Sequence, residues 1–277
     1  MEKRTYGWKR DLPSHHDNFL MVANPTAIAN FPEEKILDGL PPVYDQGHLG
    51  SCTANALAGA FEFEQIKQGL FDFVPSRLFI YYNERKIEGT VERDAGACLS
   101  DGIKVLTETG VCRECTWPYD IIKFDSLPSE EAFEECGEHQ ISASKRIPIN
   151  IDSFKTIINM NYPVAFGFTV FSYMEHQEMA TAGVLKMPES GEQPLGGHAV
   201  VCVGYSDIMK SSDEKQVGYL KVRNSWGSKW GQEGYFWMPY DYVRANLCSD
   251  AWVITKNEEN MVKLNTKLNK EIINKQA

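Results

Sequence analysis

The sequence predicts an α+β protein with two lobes, a helical lobe followed by a strand-rich lobe, and a substrate cleft between them. Apolar residues recur at helical spacing over residues 54–68, and further helical patterns cover residues 75–87 and 100–109. Short runs rich in Val, Phe, Tyr and Trp follow, bounded by turn residues, at 163–170, 198–205, 218–223, 234–238 and 251–255. Helices first and strands later are typical of two packed units whose mutual cleft binds a ligand.

The chain divides into four predicted segments. A polar N-terminal arm covers residues 1–39, the helical lobe 40–145, the strand-rich lobe 146–256, and a tail rich in Lys, Asn and Glu 257–277. With 277 residues, 43% of them hydrophobic, the chain is large enough to fold as an independent enzyme.

Charge and cysteine content limit the partners and the compartment. The formal charge is −10, from 28 basic and 38 acidic residues, and no basic patch stands out, so nucleic acid is an unlikely partner. The first residues are basic but no apolar run follows them as in an export signal, and no stretch approaches membrane-spanning length. The odd number of cysteines, seven, together with the missing signal favours reduced thiols. We expect a cytoplasmic or virion-internal protein with no membrane partner.

Cys52 and His198 are the candidate nucleophile and general base. Cys52 opens the first predicted helix, and a helix N-terminus favours the thiolate through its partial positive charge and free N–H groups. An imidazole takes and returns protons near neutral pH. Of the six histidines, His198 alone follows a Gly-Gly pair and begins an apolar strand, which would fix it rigidly at the edge of a core.

Two further groups complete the predicted catalytic set. Asn224 is the candidate that orients the imidazole through its side-chain amide, and Trp226 beside it would exclude water from that hydrogen bond. Gln46 lies shortly before Cys52 and offers a side-chain amide to the oxyanion of a tetrahedral intermediate, with the backbone N–H of Cys52 as second donor.

These segments resemble those of the papain-like, or cathepsin-type, cysteine peptidases. Residues 46–52 resemble the family's oxyanion and nucleophile segment, 197–200 its histidine segment, and 224–227 with 230–235 its asparagine segment, in the family's order. The resemblance extends from about Leu40 to Val253. It implies a papain-like fold and peptide-bond hydrolysis through an acyl-enzyme on Cys52, with a peptide or protein substrate and no cofactor.

Two positions depart from the family pattern. Leu49 replaces a cysteine that forms half of a disulfide common in secreted members, in line with a reduced compartment. Thr53 replaces the aromatic residue that follows the nucleophile. For substrate binding, the resemblance points to Gly96 as a backbone contact, to Trp226, and to Val253 as the floor of the pocket for the second residue before the cut. An apolar floor implies an apolar preference.

Some alternatives remain open at this stage. Cys112, Cys115, Cys136 and His139 have the spacing of a structural zinc site, but the first pair lies in a segment that resembles an ordinary family segment, so we expect no metal. A papain-like scaffold that only binds peptides, or an acyl-transferase, would use the same residues. Endopeptidase and exopeptidase action are not distinguished.

The N-terminal arm is too short to resemble the family's long helical inhibitory propeptide. We hypothesise that part of residues 1–30 lies in or near the cleft and inhibits the enzyme. The alternative is that the arm packs on the back of the two lobes.

Overall fold

The helices of the computed structural model lie mostly in the first half of the chain, and the structure describes residues 4–12, 20 and 31–256. The α-helices are α1 (Cys52–Lys67), α2 (Arg77–Glu88), α3 (Leu99–Lys104), α4 (Glu130–Cys136), α5 (Ile151–Asn159), α6 (Gln177–Ala182) and α7 (Tyr240–Arg244). A π-helical turn at Val105–Thr109 extends α3, and 3₁₀ turns occur at Ile121–Lys123 and Ser172–Glu175.

The strands dominate the second half. They are β1 (Trp8–Lys9), β2 (Glu34–Ile36), β3 (Ala97–Cys98), β4 (Ala143–Ile147), β5 (Val164–Val170), β6 (Gly196–Lys210), β7 (Val217–Arg223), β8 (Tyr235–Pro239) and β9 (Cys248–Thr255). Six of them form an antiparallel sheet in the order β4-β9-β5-β6-β7-β8, and β2 pairs with β6 as the seventh. β1 and β3 form a separate parallel pair.

Helix α1 joins the two lobes. Every residue from Cys52 to Gln65 is buried, as expected of a helix without a polar face. Its apolar side chains share one core with α2 and with sheet residues such as Ala165, Ala199 and Trp252. Cys52, the predicted nucleophile, therefore begins a helix that is packed against protein on every face.

A second core lies within the strand-rich lobe. Helix α5 begins at its cap Asn150, whose Oδ1 accepts from Ser153 N at 2.8 Å, and packs Phe154 against Phe166 of β5. The start of β6 lies beside this core, where His198 pairs with Phe168 across the sheet. His198, the candidate general base, is thus held by a central strand of the sheet.

The predicted α+β architecture is confirmed, with differences in detail. The helical pattern at 100–109 is divided between α3 and the π-helical turn. Parts of the predicted arm are ordered as β1 and β2, and β2 joins the sheet of the strand-rich lobe. The predicted tail at 257–277 lies outside the described residues. Among the described helices, none combines the length and apolar character needed to cross a membrane.

Candidate active site

Cys52 lies at the first position of α1 and has no exposed surface. Burial raises the pKa of its thiol to about 11, and the nearby carboxylate of Glu84 acts in the same direction. The backbone N–H groups of Ala199, Gly7 and Thr53 oppose this shift because they favour the thiolate. Of these three donors only Thr53 belongs to the start of α1, and burial outweighs their combined effect.

His198 is held by Asn224. Its Nε2 lies 2.8 Å from Asn224 Oδ1, while Nδ1 has no hydrogen-bond partner among the described residues. The N–H of Ala199, the next residue along β6, acts on the Cys52 sulfur, so the backbone of the strand that carries His198 lies at the thiol. Burial lowers the pKa of His198 to about 4, although the Asn224 bond raises it. In this state the pair is a neutral thiol and a neutral imidazole.

Trp226 shields the histidine–asparagine bond. Its ring stacks on the imidazole with a centroid distance of 5.0 Å and an interplanar angle of 27°. Trp230 packs edge-on against Trp226, at 4.9 Å between centroids. Backbone bonding fixes the segment, since Asn224 N donates to Gly234 O at 3.0 Å. Trp226, the residue expected to cover this hydrogen bond, lies on the imidazole, where it keeps water from the bond.

Gln46 is fixed between the two lobes. Its backbone N donates to Ser225 O at 2.9 Å, its Oε1 accepts from Ser225 Oγ at 2.6 Å, and its Nε2 donates to Leu49 O at 2.9 Å. A side-chain amide nitrogen carries two N–H groups, so the second is left to serve an oxyanion. Gln46 thus connects the nucleophile loop to the segment that carries Asn224.

The aromatic residue missing after the nucleophile is replaced by a buried polar pair. Thr53 Oγ1 donates to Glu84 Oε2 at 2.8 Å, and Glu84 Oε1 has no partner among the described residues. Burial raises the pKa of Glu84 well above its ordinary range. Our sequence reasoning missed Glu84, because nothing in the helical pattern of α2 marks this acid as buried under the nucleophile.

Comparisons with known proteins agree with this geometry. The family model described as papain family cysteine protease matches residues 33–255. The chain belongs to the papain family of cysteine proteases. A peptidase C1-like protein of Acanthamoeba polyphaga mimivirus is 40% identical over 91% of this chain and 86% of its own length. A cathepsin B-like protein of Giardia intestinalis is 29% identical, and the match covers 72% of this chain and 64% of that protein.

Solved structures of the papain family share the fold. The cysteine protease xylellain of Xylella fastidiosa superimposes with a TM-score of 0.82 at 38% identity, over 93% of this chain and 99% of xylellain. Procathepsin B of Trypanosoma congolense gives a TM-score of 0.71 at 17% identity, over 91% and 86% of the two chains, which shows the fold alone. The chain is accordingly a papain-type hydrolase.

The arm of this papain-family enzyme passes through the active site. Ala97 N donates to Gly7 O at 2.8 Å, and β1 continues this pairing along β3. Gly96 has a φ of 70°, and a Cβ there would overlap Gly7 O. Gly96, the predicted backbone contact for substrate, therefore contacts the arm. The backbone N–H of Gly7 also acts on the Cys52 sulfur.

Aromatic and cationic side chains of the arm cover the general base. The ring of Tyr6 meets the imidazole of His198 edge to face, at 6.3 Å between centroids, and its hydroxyl donates to Glu175 Oε1 at 2.8 Å. The guanidinium of Arg4 lies 5.3 Å from the centroid of the Trp226 ring. The charge of Arg4 lowers the pKa of His198, in the same direction as burial.

Asp11 anchors the part of the arm formed by residues 4–12. It is 5% exposed, and its Oδ1 accepts from Ser100 N at 3.1 Å and Ser100 Oγ at 3.0 Å. Its Oδ2 accepts from Trp252 Nε1 at 3.1 Å, and its backbone N donates to Asp250 Oδ2 at 2.8 Å. Such a set of bonds holds the chain in one register on both lobes.

The remaining candidate residues lie elsewhere. Val253 is fully buried in the core of the strand-rich lobe, so its part in a pocket stays a prediction. The four residues with zinc-like spacing do not bring their ligand atoms within 4.8 Å of one another in the described part of the chain. Cys112 is buried and Cys115 exposed, while the ring of His139 lies against Phe73 at 4.5 Å between centroids.

Proposed function

We propose that the protein is a peptidase that cuts peptide bonds through a thioester on Cys52 and that its N-terminal arm holds it inactive. The observation that carries the first part is the hydrogen bond of 2.8 Å between His198 Nε2 and Asn224 Oδ1, which leaves Nδ1 unpaired among the described residues, on the strand whose Ala199 N–H acts on the Cys52 sulfur. This is the arrangement of a general base whose orientation is fixed by a third group.

The reaction follows from these atoms. His198 Nδ1 takes the Cys52 proton, and the thiolate attacks the carbonyl carbon of the peptide bond. The oxyanion that forms is stabilised by the N–H of Cys52 and the amide of Gln46. As the intermediate collapses, the C–N bond breaks and the imidazolium gives its proton to the leaving amine. Water, deprotonated by His198, then attacks the thioester and releases the acid and the thiol.

The arm supports the second part of the proposal because it occupies the space that a substrate needs. It pairs with the edge at Ala97, contacts the sulfur through Gly7 and covers the imidazole with Tyr6. The burial that results raises the pKa of Cys52 and lowers that of His198. Both shifts oppose the thiolate–imidazolium pair, so release of the arm both opens the cleft and restores the nucleophile.

All seven cysteines lie in the described ranges and none is paired. This supports a proposed site of action in a reducing compartment, the cytoplasm or the interior of a virion. In such a compartment a free nucleophilic thiol is kept in its reduced, active form.

Labelling with a peptidyl vinyl sulfone tests the proposed activity, because this reagent requires an activated thiolate. We expect the label on Cys52 in the full chain to form slowly and to form faster once the arm is displaced, with release of peptide products from a peptide library. The Cys52→Ala variant serves as control for the other six thiols. Absence of both label and products after arm displacement would contradict the proposal, and products only when an amine acceptor is added would favour acyl transfer.

A further inference from the structure

The edge of β3 is paired only with the arm in the described part of the chain, since β1 and β3 form a sheet of two strands. Gly7 spans the distance from this edge to the nucleophile. Its O accepts from Ala97 N at 2.8 Å, and its N–H acts on the Cys52 sulfur. An extended peptide that reaches Cys52 along this side of the cleft therefore runs past β3, where it can make the hydrogen bonds that the arm gives up.

Lys9 of the arm presents a cation to the body of the enzyme at this edge. It lies two residues beyond Gly7 and opposite Cys98 in the register of β1 on β3. Its ammonium forms an ion pair with Glu88 Oε2. The other carboxylate oxygen, Glu88 Oε1, accepts from Cys98 N at 3.1 Å. The backbone of β3 thus holds Glu88 beside the path of a peptide by a bond that does not involve the arm.

Negative charge is crowded around Glu88. This residue is the last of α2, where the helix dipole disfavours an anion. Ligand atoms of Glu88, Asp101 and Cys98 all lie within 4.8 Å of one another. Burial, together with the charge of Glu88, raises the pKa of Asp101 to about 6. The Glu88 side chain is only 14% exposed, so departure of the Lys9 ammonium leaves a half-buried carboxylate without its cation.

We infer that Glu88 and Asp101 form a site for the side chain of a lysine or arginine of the substrate, and that Glu88 sets this preference. We call the two carboxylates the Glu88 site. The substrate residue concerned lies opposite Cys98, as Lys9 does in the inhibited chain. This preference presupposes the proposed peptidase activity and adds a requirement for charge to it.

A long side chain with a charged end fits the Glu88 site. The Lys9 side chain is 39% exposed, so its stem remains partly in water while its ammonium meets the carboxylate. A methionine has a stem of similar length but would leave Glu88 unpaired, and a glutamate would add a further negative charge. Cleavage rates should therefore fall from lysine to methionine to glutamate at this position.

The test uses the full chain with Gly7→Leu, whose side chain would overlap the Gly50 backbone and so displaces the arm. A library of random peptides is digested and its products are sequenced by mass spectrometry. We expect Lys and Arg to be enriched at one position, about two or three residues from the cut, because Lys9 is two residues from Gly7. For matched peptides, kcat/KM should be about tenfold higher with Lys than with Met there, and lowest with Glu.

Two replacements of Glu88 assign the preference to this residue. Glu88→Gln keeps an oxygen that can accept from Cys98 N and removes the charge, so the Lys peptide should lose most of its advantage while the Met peptide stays within about twofold. Glu88→Lys should favour the Glu peptide instead. If Glu88→Lys does not fold, Glu88→Gln decides alone. Glu134→Gln is the matched control, because it makes the same chemical change on an exposed side chain of α4.

Active sites of every variant are titrated with a peptidyl epoxide before the rates are compared. An arm-displaced enzyme that cleaves without preference for a cation near the cut would rule out the Glu88 site. So would a Glu88→Gln enzyme that titrates fully and keeps the whole preference. An arm-displaced enzyme that neither titrates nor cleaves would instead count against the proposed function.

Discussion

Gly7 of the arm lies so close to Gly50, just before the nucleophile, that a Cβ on Gly7 would overlap the Gly50 carbonyl. The φ of Gly7 is not positive, so a side chain is excluded by space and not by backbone conformation. Overpacking of this kind costs about 1–3 kcal/mol. The replacement Gly7→Leu therefore disfavours arm docking and leaves every catalytic residue unchanged.

We expect Gly7→Leu to raise peptide hydrolysis by roughly 5- to 150-fold, the factor that corresponds to this cost. The measurement is the rate of release of a fluorogenic peptide's reporter at fixed enzyme concentration. Leu12→Ala is the control within the arm, because the Leu12 side chain is 86% exposed. Equal activity of Gly7→Leu and the unaltered chain would show that the arm does not limit access.

Acid should release the arm. The pKa of His198, which Tyr6 of the arm contacts, is lowered to about 4 by burial and by the charge of Arg4 in the arm, whereas a solvent-accessible imidazole has a pKa near 6.5. Because the released state binds the proton more tightly, release becomes more favourable as the pH falls from about 6.5 to about 4, and no further below that. The ratio of Cys52 labelling rates, unaltered chain over Gly7→Leu, isolates this effect. It should rise as the pH is lowered through this range, and a constant ratio would rule out the linkage.

Loss of the Asn224 amide should reduce turnover. Asn224→Ala frees Nε2, so the imidazole is no longer held in one tautomer and orientation. In the Gly7→Leu background we expect kcat to fall about 10²-fold with little change in KM. Asn159→Ala is the comparison variant. It removes a hydrogen bond from an asparagine side-chain amide to the hydroxyl of Tyr205, which lies toward the other end of β6. An Asn224→Ala enzyme with unchanged kcat would exclude the assigned role.

The buried acid below the nucleophile should lower stability at neutral pH. Burial raises the pKa of Glu84 well above that of an unfolded glutamate, so the folded state binds its proton more tightly. The stabilisation is complete below about pH 4.5 and is lost progressively as the pH rises toward the folded pKa. Glu84→Gln keeps the shape and removes the titration. In thermal unfolding, Glu84→Gln should have a higher Tm than the unaltered chain at pH 7.5. At pH 4.5 the two proteins should have the same Tm. A difference independent of pH would contradict this account.

The candidate catalytic residues could be picked out in the sequence because each belongs to a local pattern. Cys52 opens an apolar helix, His198 begins an apolar strand, and Asn224 lies beside Trp226. The partnership of Thr53 with Glu84 could not be predicted, since it depends on how α1 packs on α2. Local patterns locate residues within elements, whereas contacts between elements follow from packing.

The course of the arm was a hypothesis that the sequence alone did not decide. Residues 4–12 lack the period of a long helix or strand, and their placement depends on contacts with both lobes. Gly7 shows the difficulty most clearly. Gly7 packs directly against the backbone of Gly50 and Gly96, and these three glycines become neighbours only in the folded chain.

The most direct test of the whole account is peptide hydrolysis by the Gly7→Leu chain with and without Cys52→Ala. With the arm displaced, we expect this variant to cleave peptides much faster than the unaltered chain does, and to lose cleavage completely when the Cys52 thiol is removed. Hydrolysis that survives Cys52→Ala would contradict the assignment of the nucleophile.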